Sequence, residues 1–255
     1  MTSSATFTAQ TLDSLLSDPG HPRLTWYGGE FERIELSSAV VGNWVNKTTN
    51  LLVEEFDAEP SVDIAIDLPA HWRQIVWTLA ALRTGCTVHL GSQRGLDAGV
   101  EALITDRPQD AGEFARTGEL VAVALPALAR RFDGELPAGA IDAASAVMTY
   151  SDAIGFVSIT DPLLPALVEG ETTLTYGELP EWAAAAPIPA GQRVALVCTR
   201  ANAPLLPLIQ HVLGIYAGDG SVVLIGPAAA QELSDDSARF QRIVESERIT
   251  TVIEL

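Results

Sequence analysis

"VDIAIDLPAHWRQIVWTLAALRTGCTVHLG", residues 62–91, reads as a strand, a turn, a helix and a second strand in direct succession. The runs VDIAI from Val62 and TVHL from Thr87 are short and apolar without a polar alternation, as in strands buried on both faces. Between them Trp72, Ile75, Val76, Leu79 and Leu82 recur at helical spacing, with Pro69 at the start of residues 69–84 and Gly85 placed to stop them. Strands buried on both faces and separated by a helix imply a mainly parallel sheet covered by helices.

The same grammar extends in both directions. Further strand-like runs are ALIT from Ala102, LVAVAL from Leu120, IGFVSI from Ile154, RVALVC from Arg193, SVVLI from Ser221 and ITTVIEL from Ile249. Residues 36–56 place Val41, Trp44, Val45, Thr48 and Leu52 on a helical stripe. Residues 203–217 are apolar on every side, which predicts a buried helix with Asn202 as its cap and Gly218 as its terminator. The predicted class is α/β, doubly wound, with mainly parallel sheets flanked by helices. Ligands of such folds bind beyond the carboxyl ends of strands, here the loops after IAID, VSITD and VCTR.

Composition bounds the function. The chain has 255 residues, 33 acidic against 15 basic side chains and a net charge of −18. So acidic a surface repels phosphate backbones and anionic bilayers, which predicts neither nucleic-acid nor membrane binding. Lys47 is the only lysine. Cys86 and Cys198 lie in separate apolar segments and read as reduced core thiols, with no disulfide framework or zinc site. The start, MTSSATFTAQTLDSLL, lacks the basic and apolar regions of a secretory signal, and the longest uncharged stretch of note, residues 201–218, holds Asn202, Pro204, Pro207, Gln210 and His211, which argues against a membrane span, so a cytoplasmic protein is expected. No fixed-period repeat is visible.

Leu24-Thr25-Trp26-Tyr27, the helix through Asn43-Trp44 to Leu51-Leu52 and the quoted stretch with its Leu82-Arg83-Thr84-Gly85 ending together resemble the amino-terminal part of the adenylate-forming superfamily. That superfamily includes acyl-CoA synthetases and peptide-synthetase adenylation domains, and the chain is also similar to short AMP-binding-like bacterial proteins. HVLGIYAGDGSVVLIGP is similar to the family's helix–glycine–strand unit, and RFQRIVESERITTVIEL to the helix and strand next in order. The resemblance implies two Rossmann-like lobes, one of residues 62–190 and a discontinuous one of 1–61 plus 191–255. An LTY-type segment opens a helix in that family.

The resemblance puts the family's phosphate loop at "VEGETTLTYGELPEW", residues 168–182. A phosphate loop needs glycines that let backbone N–H groups approach the anion and a cation that offsets its charge. Thr172 and Thr173 stand at the degenerate position, with no Gly-x-Pro-Lys after them. Between Arg131 and Arg193 there are nine acids and no lysine, arginine or histidine. Glu171-Thr172-Thr173 therefore reads as a turn or cap, and residues 174–186 as a short helix with Tyr176, Leu179 and Trp182 inward. Measured on the family, the sequence reaches Leu255 ahead of the Tyr-Gly-x-Thr-Glu segment, the ribose-binding aspartate and the mobile domain with the catalytic lysine.

Other constellations are missing as motifs. His21, His71, His89 and His211 have no metal spacing, and neither G-x-S-x-G nor a strand-borne G-x-G-x-x-G occurs. Asp67 and Asp161 end predicted strands and read as caps or turn formers. No catalytic residue, metal or cofactor is predicted. The expected function is that of a non-catalytic relative, a scaffold or protein-binding module. It is expected to be a homodimer or part of a heteromeric complex, because the second lobe would keep an unpaired sheet edge or apolar face. The alternative is a binder or acid–thiol ligase using the remnant crevice for an acyl or aromatic acid. Trp26, Tyr27, Tyr150, Thr160 or Arg200 would line it, and ATP and magnesium enter only there.

Overall fold

A computed structural model of the chain describes residues 6–30, 32–91, 99–112, 114, 119–186 and 188–255. In chain order the first half holds α1 (Phe7–Leu15), β1 (Pro22–Tyr27), β2 (Arg33–Ser37), α2 (Ser38–Phe56), β3 (Asp63–Asp67), α3 (Trp72–Thr84), β4 (Thr87–Leu90), β5 (Ala102–Thr105) and β6 (Leu120–Ala122). The second half adds β7 (Ile141–Asp142), α4 (Ala143–Ala146), β8 (Pro165–Glu169), β9 (Thr172–Thr175), α5 (Leu179–Ala184), β10 (Arg193–Val197), α6 (Leu206–Ala217), β11 (Ser221–Ile225), α7 (Pro227–Ser234), α8 (Ser237–Ser246) and β12 (Thr251–Glu254).

The strands form a seven-stranded sheet in the order β7-β6-β5-β3-β4-β8-β9 and a five-stranded sheet in the order β12-β10-β11-β1-β2. All neighbours are parallel except the hairpins β8–β9 and β1–β2. This is the α/β class that the sequence predicts. The chain divides into two compact units, one of Met1–Ala9, Asn43–Leu68 and Val76–Leu179, the other of Gln10–Gly42, Pro69–Ile75 and Pro180–Leu255. The boundaries after Ala9, Gly42, Ile75 and Leu179 fall inside helices α1, α2, α3 and α5.

One succession of elements occurs twice: a hairpin, a helix, a strand, a helix and a strand. The first pass is β1, β2, α2, β3, α3, β4 and the second is β8, β9, α5, β10, α6, β11. Each pass lends its hairpin to the sheet of the other. Strand β1 runs parallel to β11 with Leu24 opposite Val222 and Tyr27 opposite Ile225, and β8 runs parallel to β4 with Val88 opposite Leu167. The next strand, β5 or β12, then returns to the far side of β3 or β10. The duplication lies in order and pairing rather than in residue identity.

Packing reflects the apolar faces. In the five-stranded sheet Tyr27, Ala195, Val197, Val223 and Ile225 meet Ala229, Leu233 and Ile243 of α7 and α8. In the seven-stranded sheet Ala65, Leu103 and Leu120 pack with Val100, Ala111 and Phe114. Helix α6 buries Leu208, Ile209, Val212, Leu213, Ile215 and Tyr216 and ends at Gly218, as its all-round hydrophobicity predicts. Both cysteines are free and buried; burial pushes both thiols up to about 12, so neither is a reactive thiolate.

Four local expectations are corrected. IGFVSI forms no strand; residues 154–161 run outside both sheets, with Phe156 81% and Ile159 70% exposed, because β8 and β9 already fill that side of β4. Residues 174–186 are not one helix: Leu174 and Thr175 belong to β9, and α5 spans only Leu179–Ala184, since cross-strand pairing overrides the local periodicity. Helix α6 starts after Leu205 with no side-chain cap, and Asn202 stays outside it. Pro204 disfavours helical backbone at Ala203, whereas Pro207 suits a first turn. Finally, Leu24–Tyr27 lies in β1, and β2 separates it from α2.

Because each sheet draws strands from both passes, a cut in the exposed stretch at Leu128, which is 90% exposed, separates β1 from β11 and β8 from β4. Fragments 1–128 and 129–255 are each expected to lack a cooperative urea transition by circular dichroism. Their equimolar mixture is expected to regain one.

Candidate functional site

The position that carries nucleotide chemistry in the resemblance is the tip of the β8–β9 hairpin. Glu169 pairs with Thr172 and Val168 with Thr173, so the connection is only Gly170 and Glu171. Gly170 has φ +60 and Glu171 does not share it, the pattern of a two-residue type II′ turn. Thr172 and Thr173 are exposed strand residues on successive, opposite faces. After them Glu178 accepts hydrogen bonds from the Thr175 N–H at 2.8 Å and its hydroxyl at 2.7 Å, which hold its carboxyl below the usual range. The hairpin thus presents a tight turn beside Glu169, Glu171 and Glu178.

The carboxyl end of β3 and the neighbouring end of β5 mark the place where the strand order of the larger sheet reverses. Asp67 closes β3, and both its oxygens accept from Arg107 Nη2, at 3.2 and 3.0 Å. The Arg107 N–H donates to Thr105 Oγ1 at 3.0 Å. Asp106 lies alongside with Oδ1 buried and without a hydrogen-bond partner, 3.9 Å from Arg107 Nε. Burial, reinforced by Asp67 and Asp110, raises its pKa. A carboxyl that keeps its proton more readily, next to a second carboxyl group and a half-exposed guanidinium, has the composition of an acid–base pair with an anion contact. Asp67 was legible as a strand end; Asp106 and Arg107 carried no motif. Asp161 instead accepts from the Leu163 N–H at 2.9 Å, a local turn.

The predicted pocket residues have separate partners. Trp26 and Tyr27 are consecutive in β1 and project from opposite faces of the sheet. Trp26 donates to Glu32 Oε2 at 2.8 Å and packs edge-on against His71 at 4.3 Å. It also lies so close to Gly226 that a Cβ there would stand 2.2 Å from the ring. Tyr27 donates to Glu247 Oε1 at 2.6 Å, and burial together with that carboxylate raises its pKa. Tyr150 donates to Glu55, and its carbonyl accepts from Lys47 Nζ. Thr160 Oγ1 is buried without a hydrogen-bond partner, close above Gly85. Arg200 is exposed beyond β10.

Two buried polar groups escaped the motif search. Glu247 accepts from Tyr27, from Arg33 Nε at 2.8 Å and from Arg193 Nη2 at 2.6 Å. Burial alone would raise its carboxyl, but these hydrogen bonds outweigh it and hold the pKa below the usual range. His71 caps the start of α3, its Nδ1 accepting from the Arg73 N–H at 3.1 Å. Burial, with Arg73 adding, lowers its pKa to about 3. Neither signal is readable from spacing, because both depend on burial.

Among the described residues no group of three or more histidine, cysteine, aspartate or glutamate side chains is arranged to hold a metal ion. No helix among them is long and apolar enough to cross a membrane.

No family model matches the chain. A protein of Mycobacterium tuberculosis (strain ATCC 25618 / H37Rv), named "TIGR03089 family protein", is 33% identical over 262 residues, covering 99% of this chain and 100% of that one. The crystal structure of a Brucella canis acyl-CoA synthetase is similar with a TM-score of 0.75 at 14% identity, over 98% of this chain and 47% of that chain. The chain therefore spans about half the length of that synthetase. The N-terminal subdomain of Klebsiella oxytoca NpsA is similar with a TM-score of 0.63 at 11% identity, over 98% of this chain and 61% of that chain. These likenesses show the fold, that of the N-terminal domain of an acyl-CoA synthetase.

The His71 geometry has a pH signature. The unfolded chain takes up a proton near pH 6.5, whereas the folded chain keeps His71 neutral down to about 3. Its contribution is whole above pH 6.5 and is lost as the pH falls toward 3. Between pH 6.5 and 4.5 the wild type is expected to lose about 2 to 3 kcal/mol more unfolding free energy than His71→Asn, measured by urea titration. Asparagine keeps a capping oxygen but does not titrate. Equal losses in the two proteins would contradict a buried neutral imidazole.

Proposed function

The chain belongs to the TIGR03089 family, and from that membership, together with its acyl-CoA synthetase fold, we propose that it is a non-catalytic relative of adenylate-forming enzymes that works as a protein-binding module. The observation that carries this reading is the β8–β9 connection. Two residues, Gly170 and Glu171, stand where a loop must wrap a triphosphate with several backbone N–H groups. The surrounding stretch between Arg131 and Arg193 offers nine carboxylates and no cation. At a separation of about 4 Å and an effective dielectric near 20, each like-charge pair costs about 4 kcal/mol before screening. A nucleotide tail has nothing there to offset that cost.

A second reading, binding of a small acyl or aromatic acid, is favoured by Arg107 beside Asp67 and Asp106 at the reversal of strand order. It requires Arg107 to exchange an intramolecular carboxylate for that of a ligand. The predicted lining residues Trp26 and Tyr27 supply little to it, since they face opposite ways from one strand.

Calorimetric titration with magnesium and ATP is expected to give no heat of binding. ATP–pyrophosphate exchange against a panel of carboxylic acids is expected to stay at background. Micromolar ATP affinity or acid-dependent exchange would overturn the non-catalytic reading. A thermal shift with an aromatic or acyl acid that disappears in Arg107→Gln would establish the second reading instead.

A further inference from the structure

Helix α2 holds a length of main chain through its side chains. Asn46 Nδ2 donates to the Asp152 carbonyl at 2.8 Å, and Lys47 Nζ donates to the Tyr150 carbonyl. Asn50, itself buried, donates from Nδ2 to the carbonyls of Ser151 at 2.8 Å and Ala153 at 2.9 Å. Its Oδ1 accepts from the Gly155 N–H at 3.1 Å. Residues 150–155 are therefore fixed at their backbone groups, and the chain beyond them starts from a tethered point.

Residues 154–161 then run without a turn or a bend. The backbone N–H and C=O groups of Phe156, Val157, Ser158 and Ile159 form no backbone hydrogen bond among the described residues. Their side chains are mostly strong strand formers, and Phe156 and Ile159 point outward, 81% and 70% exposed, with Leu163 at 82% beyond them. Single exposed apolar residues are ordinary, but three of this size along an anchored segment with open backbone groups are the features of a surface that another strand completes.

Charge decides the occupant. Asp152 and Asp161, both exposed, bracket the segment, and Glu59 Oε2 lies 3.4 Å from Ser158 Oγ. The ammonium of Lys47 is engaged by the Tyr150 carbonyl, and residues 132–192 carry no base. A second copy of this chain, at net charge −18, would bring the same acids opposite them. We propose that Phe156–Ile159 is a docking strand for a basic polypeptide segment of a partner protein, one that alternates apolar and cationic residues and pairs with the open backbone. The proposal rests on the protein-binding reading above and supplies its partner class.

The test uses the full chain and a blocked octapeptide of alternating arginine and valine, with alternating glutamate and valine as the control. Binding is expected at micromolar Kd for the basic peptide only, with new hydrogen-exchange protection at the amides of residues 156–160. The double variant Phe156→Ser, Ile159→Ser keeps the charge and the melting temperature and is expected to weaken binding by ~10-fold or more, about 1.4 kcal/mol. No binding, binding that the double variant leaves unchanged, or binding without protection of those amides overturns the proposal. A wild-type dimer that the double variant dissociates in sedimentation overturns the choice of partner over a second copy. Each of these results leaves the ATP titration unaffected, so failure here and failure of the non-catalytic reading are read separately.

Discussion

The pairing of β1 on β11 and of β8 on β4 is the constraint on which the rest of the structure depends. A strand of a buried parallel sheet must have its backbone groups satisfied on both sides, and in each sheet the neighbour comes from the other pass of the chain. Strand β4 without β8, or β11 without β1, would be left as an open edge across an apolar face. The exchange also fixes the position of the β8–β9 hairpin. Once β8 is docked on β4, Gly170 at φ +60 turns the chain back at once and Thr172 to Thr175 become the last strand of the sheet.

In the five-stranded sheet a second constraint is electrostatic. Arg23, 2% exposed, donates to Ser38 Oγ, to the carbonyls of Asp219 and Gly220 and, at 2.5 Å, to the Asp219 carboxylate. Glu247 gathers Tyr27, Arg33 and Arg193 from β1, β2 and β10. Buried ions seldom add net stability over apolar replacements, but removing one partner strands the other charge at a cost of about 3 to 5 kcal/mol. Both groups therefore act as registration devices. They tie the turn after α6 and the end of α8 to specific strands, which apolar packing alone would specify less sharply.

The same economy of cations shapes the other unit. Its acids outnumber its bases, and Arg107 and Lys47 are both committed, to Asp67 and to the Tyr150 carbonyl. A tight turn beside carboxylates, in a stretch that carries no base, supports a reading without nucleotide chemistry. An anchored apolar segment among those carboxylates supports one with a basic protein partner. These readings share a cause, the lack of free positive charge between Arg131 and Arg193.

What the sequence determined by itself was the alternation of elements. The apolar runs at Asp63–Asp67, Thr87–Leu90, Ala102–Thr105, Arg193–Val197 and Ser221–Ile225 are strands at those positions, because strands buried on both faces must be apolar throughout. The helix stops at Gly85 and Gly218 and the acidic, base-free stretch were equally legible, since each is a local property of residue type. Tertiary structure alone decided which runs became strands when partners were limited. IGFVSI has the propensity, but β8 and β9 take that side of β4, whereas TTLT has little hydrophobicity and gains its pairing from the turn at Gly170. It also decided the titration of His71, Asp106 and Glu247, for a pKa is set by burial and neighbours that are distant in sequence. Propensity and charge belong to residues, while pairing and desolvation belong to their surroundings, and the surroundings exist only once the chain has closed both sheets.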